Sequence, residues 1–82
     1  MATAADQYHF NMGSAAIYRI IVQGHLNIKW SAKLSGMQIT ETDQEKTMLV
    51  GRVEDQSALN GILDMLHNLN LPVLNVECLE KL

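Results

Sequence analysis

The chain has little of what usually points to a chemical mechanism. Cys78 is its only cysteine, which excludes an internal disulfide and a zinc cluster built from thiolates. Six scattered Lys and Arg residues against nine Asp and Glu residues give a net charge of −3, whereas nucleic-acid binding needs clustered basic side chains. No apolar run reaches the length of a membrane span, and residues 1–7 lack the regions of a secretory signal. We therefore expect a cytoplasmic protein without nucleic-acid or membrane partners.

The sequence also lacks the motifs of common catalytic and cofactor sites. It has neither of the common phosphate-binding glycine loops, the Walker A loop and the Gly-x-Gly-x-x-Gly fingerprint. It also lacks the Gly-x-Ser-x-Gly elbow of hydrolases. Cys78 alternates with apolar neighbours, which is typical of a buried and unreactive thiol. We therefore predict no catalytic residue, no cofactor and no covalent chemistry.

The chain does have enough apolar residues to form one small folded domain. Its 82 residues are 48% hydrophobic and 18% charged, an ordinary composition for a globular protein. Residues 1–14 show no periodicity and are predicted to be a flexible tail, and residues 15–82 a single domain. Domains of this size often need a disulfide, a metal or a second subunit for stability. Because the chain has no disulfide, we expect self-association to provide the additional stability.

Along residues 15–82, segments in which apolar and polar residues alternate are interleaved with segments in which apolar residues recur at helical spacing. Strands are predicted at Ile17–Gln23, Met37–Thr42, Thr47–Val53 and Val73–Leu79. Helices are predicted at Ile28–Ser35 and Gln56–Asn68, with caps at Asn27 and at Asp55 or Ser57. The order β-α-β-β-α-β predicts an α+β protein with a ferredoxin-like split βαβ fold. Its four-stranded antiparallel sheet would carry both helices on one face.

Several short segments together resemble a group of short, uncharacterised bacterial proteins that share the same spacing. The segments are Gly24-His25-Leu26, Trp30, Gly36, Ile39-Thr40, Leu49-Val50-Gly51, Val53, Asp55-Gln56-Ser57-Ala58-Leu59, Gly61-Ile62-Leu63 and Leu71-Pro72-Val73-Leu74. The resemblance covers Tyr18 to Val76, and the stretch around Asp55–Leu59 is its most distinctive part. It implies this fold and a bacterial, cytosolic origin, and it supplies no catalytic or ligand residue.

The two faces of the predicted sheet differ in what covers them. The face under the helices is predicted to form the core, from Tyr18, Ile20, Val22, Leu34, Leu49, Leu59, Ile62, Leu66, Leu74 and Val76. The opposite face exposes an apolar patch that is interrupted by polar side chains, and we predict that it forms an interface. The predicted interface residues are Ile17, Arg19, Ile21, Met48 and Val50. We expect a symmetric homodimer joined through this helix-free face or its edge.

Polar groups give only a few candidates for a ligand site. His25, Asp43, Glu45 and His67 are expected at one end of the sheet, which suits a metal or proton-transfer site. No two histidines have ligand spacing, however, so structural or solvated histidines are the preferred interpretation and no metal is predicted. His25, Trp30 and His67 remain as candidate ligand contacts.

Two functions stay open at this point. The first is a small, non-enzymatic homodimeric module that binds a protein or a small molecule, as a regulatory domain would. The second is a small dimeric enzyme of the α/β-barrel type, with a pocket between helices and sheet. The predicted core offers such a pocket one polar group, the Tyr18 hydroxyl, whereas a binding site needs several converging polar groups. We therefore favour the binding module.

Overall fold

The computed structural model describes residues 15–42 and 44–82; the predicted tail and Asp43 lie outside this range. The described residues form an α+β fold with a four-stranded antiparallel sheet and two helices. The elements in chain order are β1 (Ala16–Gln23), a 3₁₀ helix (Ile28–Leu34), β2 (Gln38–Glu41), β3 (Lys46–Val53), α1 (Gln56–Asn68) and β4 (Val73–Lys81). The predicted order along the chain is therefore observed.

The sheet has the strand order β2-β3-β1-β4, so β1 and β3 are central and β2 and β4 are edges. β1 and β3 pair without interruption from Ala16↔Val53 to Gln23↔Lys46. Residues of β1 alternate strictly between the two faces, and its even-numbered residues are buried. The core consequently lies between the sheet and the helices.

The first helix differs from the prediction of an α-helix in the ferredoxin-like arrangement. It is a seven-residue 3₁₀ helix, with Trp30 N donating to Asn27 O at 3.0 Å in the i→i+3 pattern. Asn27 caps it as predicted, since its Oδ1 accepts from Lys29 N at 2.9 Å. With three residues per turn, Trp30 and Leu34 do not share a face as they would in an α-helix. Leu34 is accordingly buried, whereas Trp30 is half-buried.

Helix α1 has the predicted bounds, and its N-cap is the carboxylate of Asp55 rather than the hydroxyl of Ser57. Asp55 Oδ1 accepts from Ala58 N at 2.8 Å, which satisfies one of the free donors of the first turn. Leu59, Ile62 and Leu66 are buried at the spacing of one helical face. Both helices contribute to a single core, because Leu34 belongs to the same cluster as these three residues.

Two features of the sheet fix the path of the chain around the core. Gly51 permits a close approach, since a Cβ there would lie 3.0 Å from Met37 Cα. The pairing of β1 with β3 runs through Gly51 unbroken, so the strand has no bulge at this glycine. Thr47 is the one buried polar residue of the described chain, and its Oγ1 donates to Gly24 O at 2.6 Å.

The prediction that Leu74 lies in the core is wrong. β4 shifts its register against β1 between Ile21 and Val22, so that Val73 instead pairs with Val22. Leu74 is displaced from the alternation and is 48% exposed. Val76, also predicted in the core, is half-buried at its margin.

Candidate interaction surface

The helix-free face of the sheet carries the apolar side chains that the sequence predicts there. The five residues of the predicted interface are all half-buried: Ile17, Arg19, Ile21, Met48 and Val50. Ile21 pairs with Met48 across the central strands, and Arg19 pairs with Val50. The predicted patch is therefore brought together by the two central strands.

An ion pair lies on this face beside the patch. Arg19 Nη2 donates to Glu77 Oε1 across the β1–β4 ladder. The Nε atom of Arg19 is buried and has no hydrogen-bond partner. Both side chains remain over a third exposed, so the pair contributes little to folding on its own.

Strand β4 is an edge strand, and none of its nine residues is buried. Five large apolar side chains are exposed in the described part of the chain. Four of them lie on β4 or directly after it: Val73, Leu74, Leu79 and Leu82. A long edge strand with exposed apolar side chains is the kind of edge that pairs with another chain.

A groove lies next to the start of β4, where α1 ends. It has a volume of about 570 Å³ and is lined by Leu63, Asp64, His67, Asn70, Leu71, Pro72 and Val73. Asn70 adopts a left-handed conformation with φ of 60°, which turns the chain from α1 towards β4. The groove is mostly apolar, with one carboxylate, one imidazole and one amide at its border.

The three candidate ligand residues lie in different places. His25 Nδ1 is 3.4 Å from Glu41 Oε1, and both side chains are more than half exposed. Trp30 has Lys33 Nζ 5.4 Å from its ring centroid, a cation–π contact on the surface. His67 lines the groove beside β4. Neither the groove nor the smaller hollow beside Trp30 contains two of the three residues.

Glu45 belongs to the cluster predicted at the end of the sheet, and it accepts hydrogen bonds there through its backbone carbonyl rather than its carboxylate. Its carbonyl oxygen accepts from Gly24 N at 2.7 Å and from Gln23 Nε2 at 3.0 Å. Asp43 is outside the described range. Within residues 15–42 and 44–82, no three His, Cys, Asp or Glu side chains are close enough together to hold a metal ion.

The phenol of Tyr18 lies in the core. Burial raises the pKa of its phenol above the usual 10, and the charge of a deprotonated Cys78 raises it further. The thiol of Cys78 is free and half-buried. The Tyr18 hydroxyl therefore holds its proton more tightly than a free tyrosine, opposite to what a general base requires.

Sequence reasoning missed the exposed edge of β4 and the groove beside it. A signal for the edge exists in the sequence. Two adjacent apolar pairs, Val73-Leu74 and Cys78-Leu79, break the alternation of β4, and the register shifts of the strand occur next to them. The groove depends on the turn after α1, which periodicity does not describe.

In the described residues, no helix is long and apolar enough to cross a membrane. No curated protein and no solved structure matches the chain. One family model does match, a domain of unknown function (DUF8691), over residues 17–77. This match extends from β1 into β4 and contains β2, β3 and both helices, and it is consistent with the resemblance to uncharacterised proteins. The chain therefore belongs to the DUF8691 family of unknown function.

Proposed function

We propose that this protein is a small, non-enzymatic interaction module that works as a homodimer. The observation that carries the proposal is the distribution of apolar side chains outside the core. Ile17, Ile21, Met48 and Val50 lie on the helix-free face, and more apolar side chains follow the β4 edge beside it. Patches of this kind on a small domain usually mark a contact with another protein.

The energetics of a small domain support self-association. The chain has no disulfide and one modest core, and such domains often gain stability from a partner subunit. The contact lies at the helix-free face or at the β4 edge. Surfaces outside that contact remain available to a protein partner. We place the module in the bacterial cytosol, as the resemblance implies.

We treat the architecture as a variant of the ferredoxin-like split βαβ arrangement. The order of elements along the chain supports this assignment, and the 3₁₀ helix in the first crossover is a departure from it.

The enzyme alternative has less support from the geometry. An enzyme of the α/β-barrel type needs polar groups that converge in one pocket. Tyr18 is the candidate inside the core, and its raised pKa disfavours proton abstraction. His67 and Asp64 border the groove instead of lying between the helices and the sheet.

The molar mass in solution tests the proposal. Light scattering of the parent protein at micromolar concentration should give twice the mass of the chain. An apolar contact is not weakened by screening, so the dimer should persist when the salt concentration is raised. A mass of one chain throughout the concentration series would overturn the proposal.

A further inference from the structure

We propose that two copies of the chain join by pairing their β4 strands antiparallel, so that the two sheets become one eight-stranded sheet across a two-fold axis. This proposal rests on the self-association proposed above and assigns its location. It leaves the helix-free faces of both copies side by side and uncovered.

The backbone of β4 is prepared for such pairing. Gln23 N donates to Pro72 O at 2.9 Å, so the odd-numbered residues of β1 direct their backbone N–H and C=O groups towards β4. Arg19 is one of these residues, and it pairs with Glu77. Hydrogen bonds alternate in an antiparallel ladder, so Glu77 uses its backbone groups towards β1 in the same way. The N–H and C=O groups of Val76 and Cys78 then point to the free edge. A second β4 would satisfy them.

Backbone pairing alone gives a contact area that is too small for a specific dimer. Nine residues of strand span about 30 Å, and a sheet with its side chains is about 10 Å thick, which hides about 300 Å² on each chain. A specific interface hides about 800 Å² on each partner. Further contact must come from surfaces next to the edge.

The groove and Leu79 supply such a contact because they lie at opposite ends of β4. The groove includes Pro72 and Val73 at the start of the strand. Leu79, which is 44% exposed, lies near its end. In an antiparallel pair the end of one strand lies beside the start of the other. Each copy therefore brings its Leu79 to the mostly apolar groove of its partner.

This arrangement is self-complementary, which is what a two-fold contact requires. Full overlap of Val73–Lys81 with its copy places Glu77 opposite the partner's Glu77 on the two-fold axis. Arg19 already forms an ion pair with Glu77 within each copy, so the two carboxylates that meet are each compensated by a guanidinium.

A set of three charge substitutions tests the location of the contact. Leu79→Glu places a charge in the proposed interface twice, once from each copy, and should raise the dimer dissociation constant at least about a hundredfold. Ile28→Glu is the matched control, since Ile28 is an exposed aliphatic residue on the 3₁₀ helix, 69% exposed. Ile21→Glu places the same charge on the helix-free face. Analytical ultracentrifugation of all three measures the effect.

The outcomes separate this proposal from the previous one. We expect the Leu79→Glu variant to be monomeric and the other two to remain dimeric. A monomeric Ile21→Glu variant beside a dimeric Leu79→Glu variant would overturn the β4 contact and leave the homodimer standing. A monomeric parent would overturn both.

Disulfide trapping tests the register without weakening the contact. In a Cys78→Ser background, Glu77→Cys should form a covalent dimer under mild oxidation, because its two copies meet at the axis. Asn75→Cys in the same background is the control. Its two copies would be about 14 Å apart along the strands, beyond the roughly 7 Å between Cα atoms that a disulfide tolerates. Equal trapping of both variants, or of neither, would contradict the proposed register.

Discussion

Leu66 is the side chain through which α1 contributes most clearly to folding, and its truncation gives a measurable test of the packing. It is fully buried, in the same cluster as the central strands. Leu66→Ala removes three carbon atoms from the core, a transfer loss of about 2.4 kcal/mol at about 0.8 kcal/mol for each carbon. The cavity left behind adds up to about 2 kcal/mol where neighbours do not relax. We therefore expect the free energy of unfolding to fall by about 3–4 kcal/mol.

Urea denaturation of the parent and of the variant at equal protein concentration measures this difference. Leu63→Ala is the matched control, one turn earlier in the same helix. Leu63 is half-buried at the groove rather than in the core, so its truncation should cost less than half as much. The slope of the unfolding free energy against urea should not change for either variant. Equal losses at the two positions, or a loss below about 1 kcal/mol at Leu66, would show that the helix packs differently.

Two further predictions concern buried polar groups. Thr47→Val should lower the free energy of unfolding by about 1–3 kcal/mol, since it leaves Gly24 O and Leu26 N without the partner that the hydroxyl provides; Thr47→Ser keeps both bonds and should lose clearly less in the same urea titration. For Tyr18, the raised pKa means that the unfolded chain ionises first as the pH rises, so the stability that burial of the neutral phenol provides is present below pH 10 and is lost above it. Tyr18→Phe should flatten this decline when unfolding is measured at several pH values above 9, and identical slopes for parent and variant would contradict the assignment.

The elements of the fold could be predicted from the sequence where the local signals agree with the packing. Asp55 as a cap, three apolar residues at helical spacing and Pro72 beyond the end define α1 almost by themselves. The alternation of β1 similarly predicts which of its side chains are buried. These signals are local, so no knowledge of the partner elements is needed.

The features that failed depend on contacts between elements. The first helix has an α-helical spacing of Trp30 and Leu34, yet the short crossover forms a 3₁₀ helix. Leu74 continues an alternation that the register shift against β1 interrupts. The groove arises from the turn at Asn70. Each depends on how two segments fit together, which periodicity within one segment does not encode.

Amide hydrogen exchange in β4, followed as a function of protein concentration, tests the central claim most directly. The N–H groups of Val76 and Cys78 point to the free edge of the sheet in a single chain and should exchange rapidly when the protein is dilute. In the paired sheet they are hydrogen-bonded to the second copy, so their exchange should slow markedly as the concentration rises. The amide of Ile20 in the central strand should show no such dependence. Rapid exchange of both β4 amides at concentrations where the protein is a dimer would contradict pairing through this strand.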